Sequence, residues 1–522
     1  MKKIFIMLAL VAGLVTSCDM DKEPYNALPD TEGITTPTDF VNARVSLYSG
    51  LRSCIGGNSF YNSEEIQCDG FDAVTGYSNT LGDMYRWTFT TESSYFSTVY
   101  SNYQVLIARA NYIIDGYNKC DMSDKTVYTE NAIANMQKAL GDAYFLRAYS
   151  IFGLSQYFCA DYEPETAGDE NSGVSYRLDY SPSSNASTYP ARQTLQQTFV
   201  QINSDLDEAA KYIKDEGEPS YAYFSKDAIT ALRARVALAM HDYSHAAQYA
   251  SDLITAGKYT LAEDKEELED LWRNDGGNET IMQMPVPTLD ELPAQTGKLY
   301  QPYNEGSVPD YIPTQTLVDL YSAKDYRKSV YFNQLSFTTN TGASATVYGF
   351  NKYVDQSALY NRLQKNEYVR FTIEPKVFRI AEMYLIAAEA YTQNDDLING
   401  AKYLNELEGK RIADYTYRTF PSKNALMNEI KDEREREMVG EGTRLFDLKR
   451  WHEGIKRGTP QNINICLLPG NSTTGLTVDA DSPKLTWPIP KHETTQTRTL
   501  NRTLVINSRK KILSFCSAPM PN

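Results

Sequence analysis

The sequence predicts a mainly α-helical fold: a tetratricopeptide-like scaffold of about four helical hairpins with long loop-rich insertions and a few short strands. Three observations support this prediction. Several long segments place apolar residues at three- and four-residue steps, as on the buried face of a helix. Two segments share the small-residue spacing of a tetratricopeptide repeat. The stretches between them are rich in Gly, Pro, Asn and aromatic residues and lack a steady helical period.

Helical periodicity is clearest in residues 139–158 and 194–213, which we pair as one hairpin. Residues 160–190 between them are rich in Ser, Asn, Asp and Pro, which is typical of a long loop. Residues 42–52 and 97–117 predict a second, weaker pair. These four segments therefore supply two of the four expected hairpins.

The other two hairpins come from residues 227–257 and 382–412, which carry the repeat pattern. Small residues let two antiparallel helices approach closely, and Tyr243 is expected to fill the first turn. In the second pattern we expect the loop to be one residue longer. Because such repeats bury a core only when several copies stack, we expect one domain over residues 33–493. The pattern positions are Ala234, Ala237, Asp242, Tyr243, Ala246, Tyr249 and Leu253 in the first repeat and Ala388, Tyr391 and Ala401 in the second.

The N-terminus carries a lipoprotein-type export signal. After Lys2 and Lys3 comes an apolar run that is shorter than the roughly 20 residues needed to span a bilayer. It ends in "LVTS" directly before Cys18, as in a bacterial lipobox, so we predict a signal peptide over residues 1–17 and lipidation of Cys18. Residues 18–32 predict a flexible acidic tether. The alternative is an ordinary signal peptide with a chance cysteine.

Composition narrows the function classes. The formal net charge is −16, and loss of Lys2 and Lys3 with the signal peptide would make it −18, so nucleic acid is an improbable partner. No other long apolar run follows, and we expect a soluble body. The seven cysteines show no CxxC spacing, and "HDYSH" at His241–His245 lacks the glutamate of HExxH, so we expect no metal site and no cofactor. The 39 tyrosines suit polar ligands as well as cores.

A charged segment near the C-terminus, "DEREREMVGEGTRLFDLKRW" at 432–451, predicts a helix break at Gly442. Glu433, Arg434 and Glu437 are spaced for ion pairs, and a new buried face begins at Leu445. The paired carboxylates could also be catalytic. We favour an ion-pair network that holds two helices together.

This segment, with "KALGDAYFLRAYSIFGLSQYF", "KVFRIAEMYLIAAEAY" and "LTWPIP", resembles the SusD/RagB family of outer-membrane nutrient-uptake lipoproteins. The family pattern ER-x-x-EL-x-x-EG-x-R-x-x-DL-x-RW is matched with one departure, Met438 for leucine. The resemblance covers about residues 18–493. It implies a non-catalytic, lipid-anchored protein on the outer face of the outer membrane. Such proteins capture glycan, or peptide in some members, and deliver it to a SusC-like TonB-dependent transporter.

Two alternatives from other classes stay open at this stage. The first is a helical-repeat scaffold that only docks proteins. The second is a glycoside hydrolase, because that chemistry needs only two carboxylates about 5–10 Å apart.

The acidic residues after Cys18 favour surface export, since they resemble the export signal of Bacteroidetes lipoproteins.

Loops on rigid scaffolds often carry binding residues, and the regions 53–96, 259–380 and 412–424 predict loops with short strands on one side of the helices. A sugar site needs aromatic faces beside polar side chains. Family sites draw on loops equivalent to 68–89 and 298–313. The alternative for Tyr85 and Trp87 is that they pack under the loop. The candidate ligand-binding residues are Asp69, Tyr77, Asn79, Tyr85, Arg86, Trp87, Tyr300, Tyr303, Asn304 and Tyr311.

Residues 494–522 predict a frameshifted, non-native tail. This stretch has no Asp or Glu although the chain is acidic. One choice of codons for Thr494–Ile506, shifted by two bases, translates as "DTNPNLKQNPGY", which resembles a family ending. The alternative is a genuine divergent tail. Resequencing the gene across the codons for Glu493 and Thr494 distinguishes the two.

Overall fold

The computed structural model describes residues 33–56, 58–183, 185–302, 306–353, 357–364, 369–468 and 476–496. Its helices are α1 Pro37–Ile55, α2 Asn58–Gln67, α3 Gly82–Arg86, α4 Ser94–Lys119, α5 Glu130–Phe158, α6 Leu195–Tyr212, α7 Lys226–Ala239, α8 Tyr243–Thr255, α9 Lys265–Arg273, α10 Gln315–Asp319, α11 Tyr326–Val330, α12 Ser357–Arg362, α13 Ile380–Gln393, α14 Leu397–Gly409, α15 Lys423–Met438, α16 Arg444–Arg450 and α17 Lys491–Gln496. Its strands are β1 Phe71–Val74, β2 Thr280–Gln283, β3 Tyr311–Pro313, β4 Phe332–Thr338, β5 Ser344–Phe350, β6 Lys376–Arg379, β7 Ile455–Lys456, β8 Cys466–Leu467 and β9 Thr477–Val478.

The predicted fold class is confirmed. Helix α1 packs against α4, α5 against α6, α7 against α8 and α13 against α14, which gives the four expected hairpins. Capping explains where several of these helices begin. Thr36 and Thr194 form capping boxes at α1 and α6, in which each threonine accepts a backbone N–H and the third residue of the helix accepts one in return.

The turns of the two repeat hairpins have the same length, so the expectation of a longer second loop is wrong. Asp242 caps α8 and Asp396 caps α14, each three residues after the preceding helix ends. The residue before each cap, His241 or Asp395, has a left-handed backbone. With the turns aligned, Gly400 rather than Ala401 occupies the position of Ala246.

Gly400 is required there by close packing of α14 on α13. A Cβ atom at this position would lie 2.1 Å from Thr392 Oγ1 and 3.1 Å from the Ala388 carbonyl oxygen. Thr392 Oγ1 itself donates to that carbonyl at 2.7 Å, so it cannot move aside without losing a buried hydrogen bond. The first hairpin has Leu238 in place of this threonine, and alanine fits opposite it.

Short antiparallel strands cover one side of the helices. The largest sheet has the order β3-β1-β8, and its register pairs Asp72 with Ile312. The remaining strands form the pairs β2-β6, β4-β5 and β7-β9. The region 53–96 contains the helix α2, and 259–380 contains α9, neither of which the sequence predicted as a helix.

The predicted helix break lies between α15 and α16, where Gly440 and Gly442 both have positive φ. Arg434 Nε donates to Asp447 Oδ2 at 2.6 Å and joins the two helices, as the ion-pair interpretation expected. The two glutamates of the motif have other partners. Leu445 is fully buried at the start of the new face.

Glu437 lies at the centre of a buried ion-pair layer. Its Oε2 accepts from Arg411 Nε at 2.9 Å and from Arg327 Nη1 at 3.0 Å. Its Oε1 accepts from Arg379 Nη1 at 2.9 Å. Because these arginines come from three other segments, the layer connects α15 to the strand side of the protein. Its members, all buried, are Glu279, Asp325, Arg327, Arg379, Arg411, Glu433 and Glu437.

Two further observations concern the described residues only. None of their helices is both long and apolar enough to cross a membrane. Their five cysteines, Cys54, Cys68, Cys120, Cys159 and Cys466, are free thiols.

Candidate functional site

The two segments predicted to carry the site lie side by side. Strand β1 belongs to the first segment and β3 to the second, and they pair antiparallel with Phe71 opposite Pro313. The Val74 N–H donates to the Asp310 carbonyl at 2.9 Å. Ser78 N–H also donates to Asp310 Oδ1 at 2.7 Å. The loops after β1 and before β3 therefore form one continuous surface.

Four polar residues of this surface form what we call the Tyr77 cluster: Tyr77, Asn79, Asp83 and Arg86. Arg86 Nη1 donates to Tyr77 Oη at 2.6 Å and to Asn79 Oδ1 at 2.8 Å. Tyr77 Oη donates to the same Asn79 oxygen at 2.8 Å. Arg86 Nη2 lies 3.4 Å from Asp83 Oδ1. Asn79 and Asp83 are exposed, and Tyr77 and Arg86 are half-buried.

The local backbone fixes this arrangement. Gly76, Asn79 and Leu81 have positive φ, so the chain turns sharply after β1 and again before α3. Helix α3 is a short piece, and it places Arg86 back against the start of the turn. The Tyr77 ring packs edge-on against Tyr311 at 5.7 Å between centroids. Tyr311 thereby supports the ring from below.

Burial raises the pKa of Tyr77, and the charge of Arg86 offsets only part of that rise. The phenol therefore stays protonated at neutral pH and can act as a hydrogen-bond donor. Together the cluster offers an aromatic edge, an amide, a carboxylate and a guanidinium on one open surface. Such a set can hydrogen-bond hydroxyl groups from both directions.

Four aromatic candidates lie in the core instead. Tyr85, Trp87, Tyr300 and Tyr311 are at most 5% exposed. Trp87 Nε1 donates to the Gln67 carbonyl at 2.8 Å, and Tyr300 Oη donates to Asn62 Oδ1 at 2.9 Å. Tyr85 donates to the Leu467 carbonyl at 2.6 Å, and Tyr311 donates to the Thr80 carbonyl at 2.6 Å. Tyr85 and Trp87 thus pack under the loop, as the alternative interpretation held.

Asp69 also has a structural partner. Its two oxygens accept from Arg444 Nη2 at 2.7 Å and from Arg444 Nε at 3.0 Å. Burial would raise the pKa of Asp69, but the charge and hydrogen bonds of Arg444, a backbone hydrogen bond and the charge of Arg457 together lower it. This bidentate pair joins the predicted loop to α16. Asp69 therefore positions the loop rather than facing outward from it.

Three predicted residues lie outside the described part of the chain: Cys18, Tyr303 and Asn304.

One neighbour of the cluster was not foreseen. Asn340, in the turn of the β4–β5 hairpin, approaches Gly76 so closely that a Cβ there would lie 3.0 Å from its side chain. Only the polar hairpin turn "NTG" marked it in the sequence, and its distance along the chain gave no sign of contact.

A cavity lies among the helices, away from the Tyr77 cluster. A cavity of about 110 Å³ is lined by residues that include Tyr103, Tyr149, Arg235, Glu382 and Arg434. It belongs to the interior of the scaffold and is separate from the Tyr77 cluster, which lies on an open face.

Two family models match the chain over different stretches. The model described as "SusD family" matches residues 330–505, and the model described as "Starch-binding associating with outer membrane" matches residues 20–238. The first match continues past Glu493, the residue after which we predict the frameshifted tail to begin. Resequencing the gene across the codons for Glu493 and Thr494 is the test of that prediction.

Curated relatives and solved structures agree with these matches. SusD-like protein P38 of Formosa agariphila is 23% identical over 93% of this chain and 95% of its own length. A SusD superfamily protein from Bacteroides thetaiotaomicron superposes with a TM-score of 0.72 at 20% identity, over 90% of this chain and 99% of that one. A putative sugar binding protein from Bacteroides vulgatus gives 0.72 at 22% identity, over 90% and 98%. The surface glycan-binding protein A from Bacteroides fluxus gives 0.66 at 18% identity, over 90% and 99%. With its helical hairpins, its α15–α16 motif and these matches, the chain belongs to the SusD/RagB family.

Proposed function

We propose that this protein is a non-catalytic, cell-surface lipoprotein that binds an oligosaccharide or polysaccharide and delivers it to a SusC-like TonB-dependent transporter in the outer membrane. The observation that carries the proposal is the pair of family matches, one of them to a model described as starch-binding. Two structural relatives are named as sugar- or glycan-binding proteins.

The Tyr77 cluster is the proposed ligand contact. Sugars present apolar C–H faces and a rim of hydroxyl groups, and the cluster has an aromatic ring beside donors and acceptors. An open surface can accommodate the middle of a long chain, which an enclosed pocket cannot. Tyr311 packs against the Tyr77 ring, and Tyr85 packs against Tyr311. The proposed contacts are Tyr77, Asn79 and Arg86, together with Tyr303 and Asn304, which lie outside the described residues.

Binding is tested by affinity gel electrophoresis of the wild-type protein against a panel of polysaccharides. Arg86→Ala should weaken retardation by the bound glycan about tenfold or more, because it removes the group that orders Tyr77 and Asn79. Loss of a hydrogen bond to a charged group costs roughly 1.5–3 kcal/mol, and about 1.4 kcal/mol corresponds to tenfold.

The matched control is Arg233→Ala. Arg233 forms a surface ion pair with Asp207 at 2.6 Å on the helical side, away from the cluster. It should bind as the wild type does. If Arg86→Ala binds the glycan unchanged, the cluster is not the contact. If no polysaccharide retards the wild type but peptides bind, the protein is a peptide-capturing member. Protein partners without any small ligand would favour the docking scaffold, and reducing ends released from a glycan would favour a hydrolase.

Anchoring and surface position depend on Cys18, which lies outside the described residues. Two or three acyl chains anchor a protein firmly at about 0.8 kcal/mol per buried CH₂ group. Cys18→Ala should therefore release the protein from the membrane fraction and abolish labelling with palmitate. Equal labelling of wild type and variant would contradict lipidation at this residue.

A further inference from the structure

Two of the four histidines meet in space although they lie far apart in the sequence. His241 follows α7 in the turn of the first repeat hairpin, and His452 follows the end of α16. Their ring centroids are 6.3 Å apart. Both residues have a left-handed backbone immediately after a helix. The fold thus brings the ends of two helices, and one imidazole from each, to the same place.

The segment after α5 adds two carboxylates at this place. Asp161 Oδ2 lies 3.0 Å from His241 Nε2 and 3.9 Å from His452 Nε2. Glu163 Oε1 lies 2.8 Å from His452 Nε2. One ligand-type atom from each of Asp161, Glu163 and His452 falls within 4.8 Å of the other two. Four ligand-type side chains from three segments therefore converge.

These separations suit a bound ion. Ligand atoms about 2.0–2.2 Å from a tetrahedral zinc ion lie roughly 3.3–3.6 Å from one another. The observed spacings of 2.8–3.9 Å among Asp161, Glu163 and His452 bracket that value. His241 joins this set through Asp161, whose Oδ2 lies 3.0 Å from His241 Nε2.

A second observation concerns the contact between Asp161 and His241. Asp161 Oδ2 and His241 Nε2 are both shielded from solvent, and neither makes a hydrogen bond of acceptable geometry, although they lie 3.0 Å apart. Two buried lone pairs that face each other are unfavourable unless a cation or a well-directed proton lies between them.

Neighbouring cations are engaged elsewhere. Lys449 Nζ donates to the Gln156 carbonyl at 2.7 Å and to the Cys159 carbonyl at 2.8 Å. Arg450 is ion-paired with Glu389 and Asp447. The carboxylate charge of the cluster is thus available to an ion.

We propose that Asp161, Glu163, His241 and His452 form a binding site for one divalent transition-metal ion of the zinc class. Imidazole nitrogens mixed with carboxylates favour Zn²⁺ and its neighbours, whereas Ca²⁺ and Mg²⁺ prefer oxygen ligands alone. The ion connects the segment after α5, the α7–α8 turn and the end of α16. It therefore fixes the first repeat hairpin to the second helix of the α15–α16 motif, independently of glycan binding.

This site differs from the one considered for "HDYSH". His245 does not take part, because its Nδ1 lies 2.6 Å from Asp242 Oδ2 within the cap of α8. No metal site was predicted from the sequence, because His241 was compared only with His245, four residues further along the chain. The actual partners are supplied by distant segments.

The test is a titration of the full mature protein, freed of metal with a chelator, with ZnCl₂ and separately with CaCl₂. Zn²⁺ should bind at one ion per chain and raise the thermal unfolding midpoint, because a ligand that binds only the folded state stabilises it. Ca²⁺ should have little effect. His452→Ala and Asp161→Asn should each weaken Zn²⁺ binding by about tenfold or more.

His245→Ala is the matched control, since it removes an exposed histidine of the same hairpin that lies outside the cluster. Its Zn²⁺ affinity should equal that of the wild type. The proposal fails if the wild type binds no stoichiometric Zn²⁺, or if His452→Ala and His245→Ala bind it equally. In that case the four side chains contact only one another, without an ion between them.

Discussion

Two buried carboxyl groups, Glu437 in the ion-pair layer and Asp72 in the β3-β1-β8 sheet, are both inaccessible to solvent, but their pKa values shift in opposite directions. Burial would raise the pKa of Glu437, yet Arg411, Arg379 and Arg327 hold it well below its usual range. Burial raises the pKa of Asp72 to about 6, and the charge of Arg457 offsets only part of that rise.

The difference shows that partners, and not burial, decide whether a buried acid is charged. Glu437 accepts hydrogen bonds from three arginines. Asp72 has only a 3.5 Å contact from Tyr85 Oη, and its Oδ2 has no hydrogen-bond partner in the described part of the chain. The helical side thus holds a buried carboxylate with a lowered pKa, whereas the sheet side buries aromatic rings and a carboxyl group that takes up a proton more readily.

The largest effect is expected from Glu437→Ala. Removing one partner of a buried ion-pair group leaves the other charges uncompensated, which costs about 3–5 kcal/mol. Urea unfolding of purified protein measures it. Glu92→Ala, which breaks an exposed pair with Lys491, is the control and should leave the urea midpoint nearly unchanged. A similarly small effect of both variants would mean that the layer contributes no net stability.

A second effect tests the sheet side. Trp87→Ala should destabilise the fold by about 3 kcal/mol, since it removes a buried ring and the hydrogen bond from its Nε1 to the Gln67 carbonyl. The same urea experiment measures it, and Arg86→Ala serves as the control because Arg86 is half-buried in the surface cluster. Unchanged stability together with lost glycan binding would instead place Trp87 in the ligand site.

The smallest effect is a pH dependence of opposite sign for the two acids. Asp72 has a raised pKa in the folded state, so the folded protein binds the extra proton between about pH 4 and pH 6. Its contribution to stability is therefore full below pH 4 and decreases as pH rises to 6, by at most about 1.4 kcal/mol per unit. Glu437 has a lowered pKa, so its contribution is present above about pH 4.5 and is lost at lower pH.

Asp72→Asn should remove the decrease between pH 4 and pH 6, since the amide does not titrate. Thermal unfolding midpoints of wild type and Asp72→Asn over this range provide the measurement. Parallel pH profiles for the two proteins would show that the pKa of Asp72 is not raised in the folded state.

The helical hairpins, the helix break at the α15–α16 motif and the family resemblance could be predicted before any tertiary contact was known. These depend on local signals: the 3.6-residue period, cap residues such as Thr36 and Asp242, and glycines such as Gly442 at positive φ. Each signal acts within a few residues, so it is visible in the chain. The approach of the 68–89 and 298–313 loops was also expected, through the family resemblance.

Contacts between distant segments determine which residues of one type face inward. Tyr77 and Tyr85 occur in the same loop, but Tyr77 belongs to the surface cluster, whereas Tyr85 is buried. Arg457 Cζ lies over the Tyr85 ring, 4.0 Å from its centroid. Gly400 occupies the place of Ala246 because Thr392, one helix away, fills the space. His241 faces Asp161 and not His245. In each case the deciding neighbour comes from a distant segment, and periodicity along one chain cannot specify which distant segments pack together.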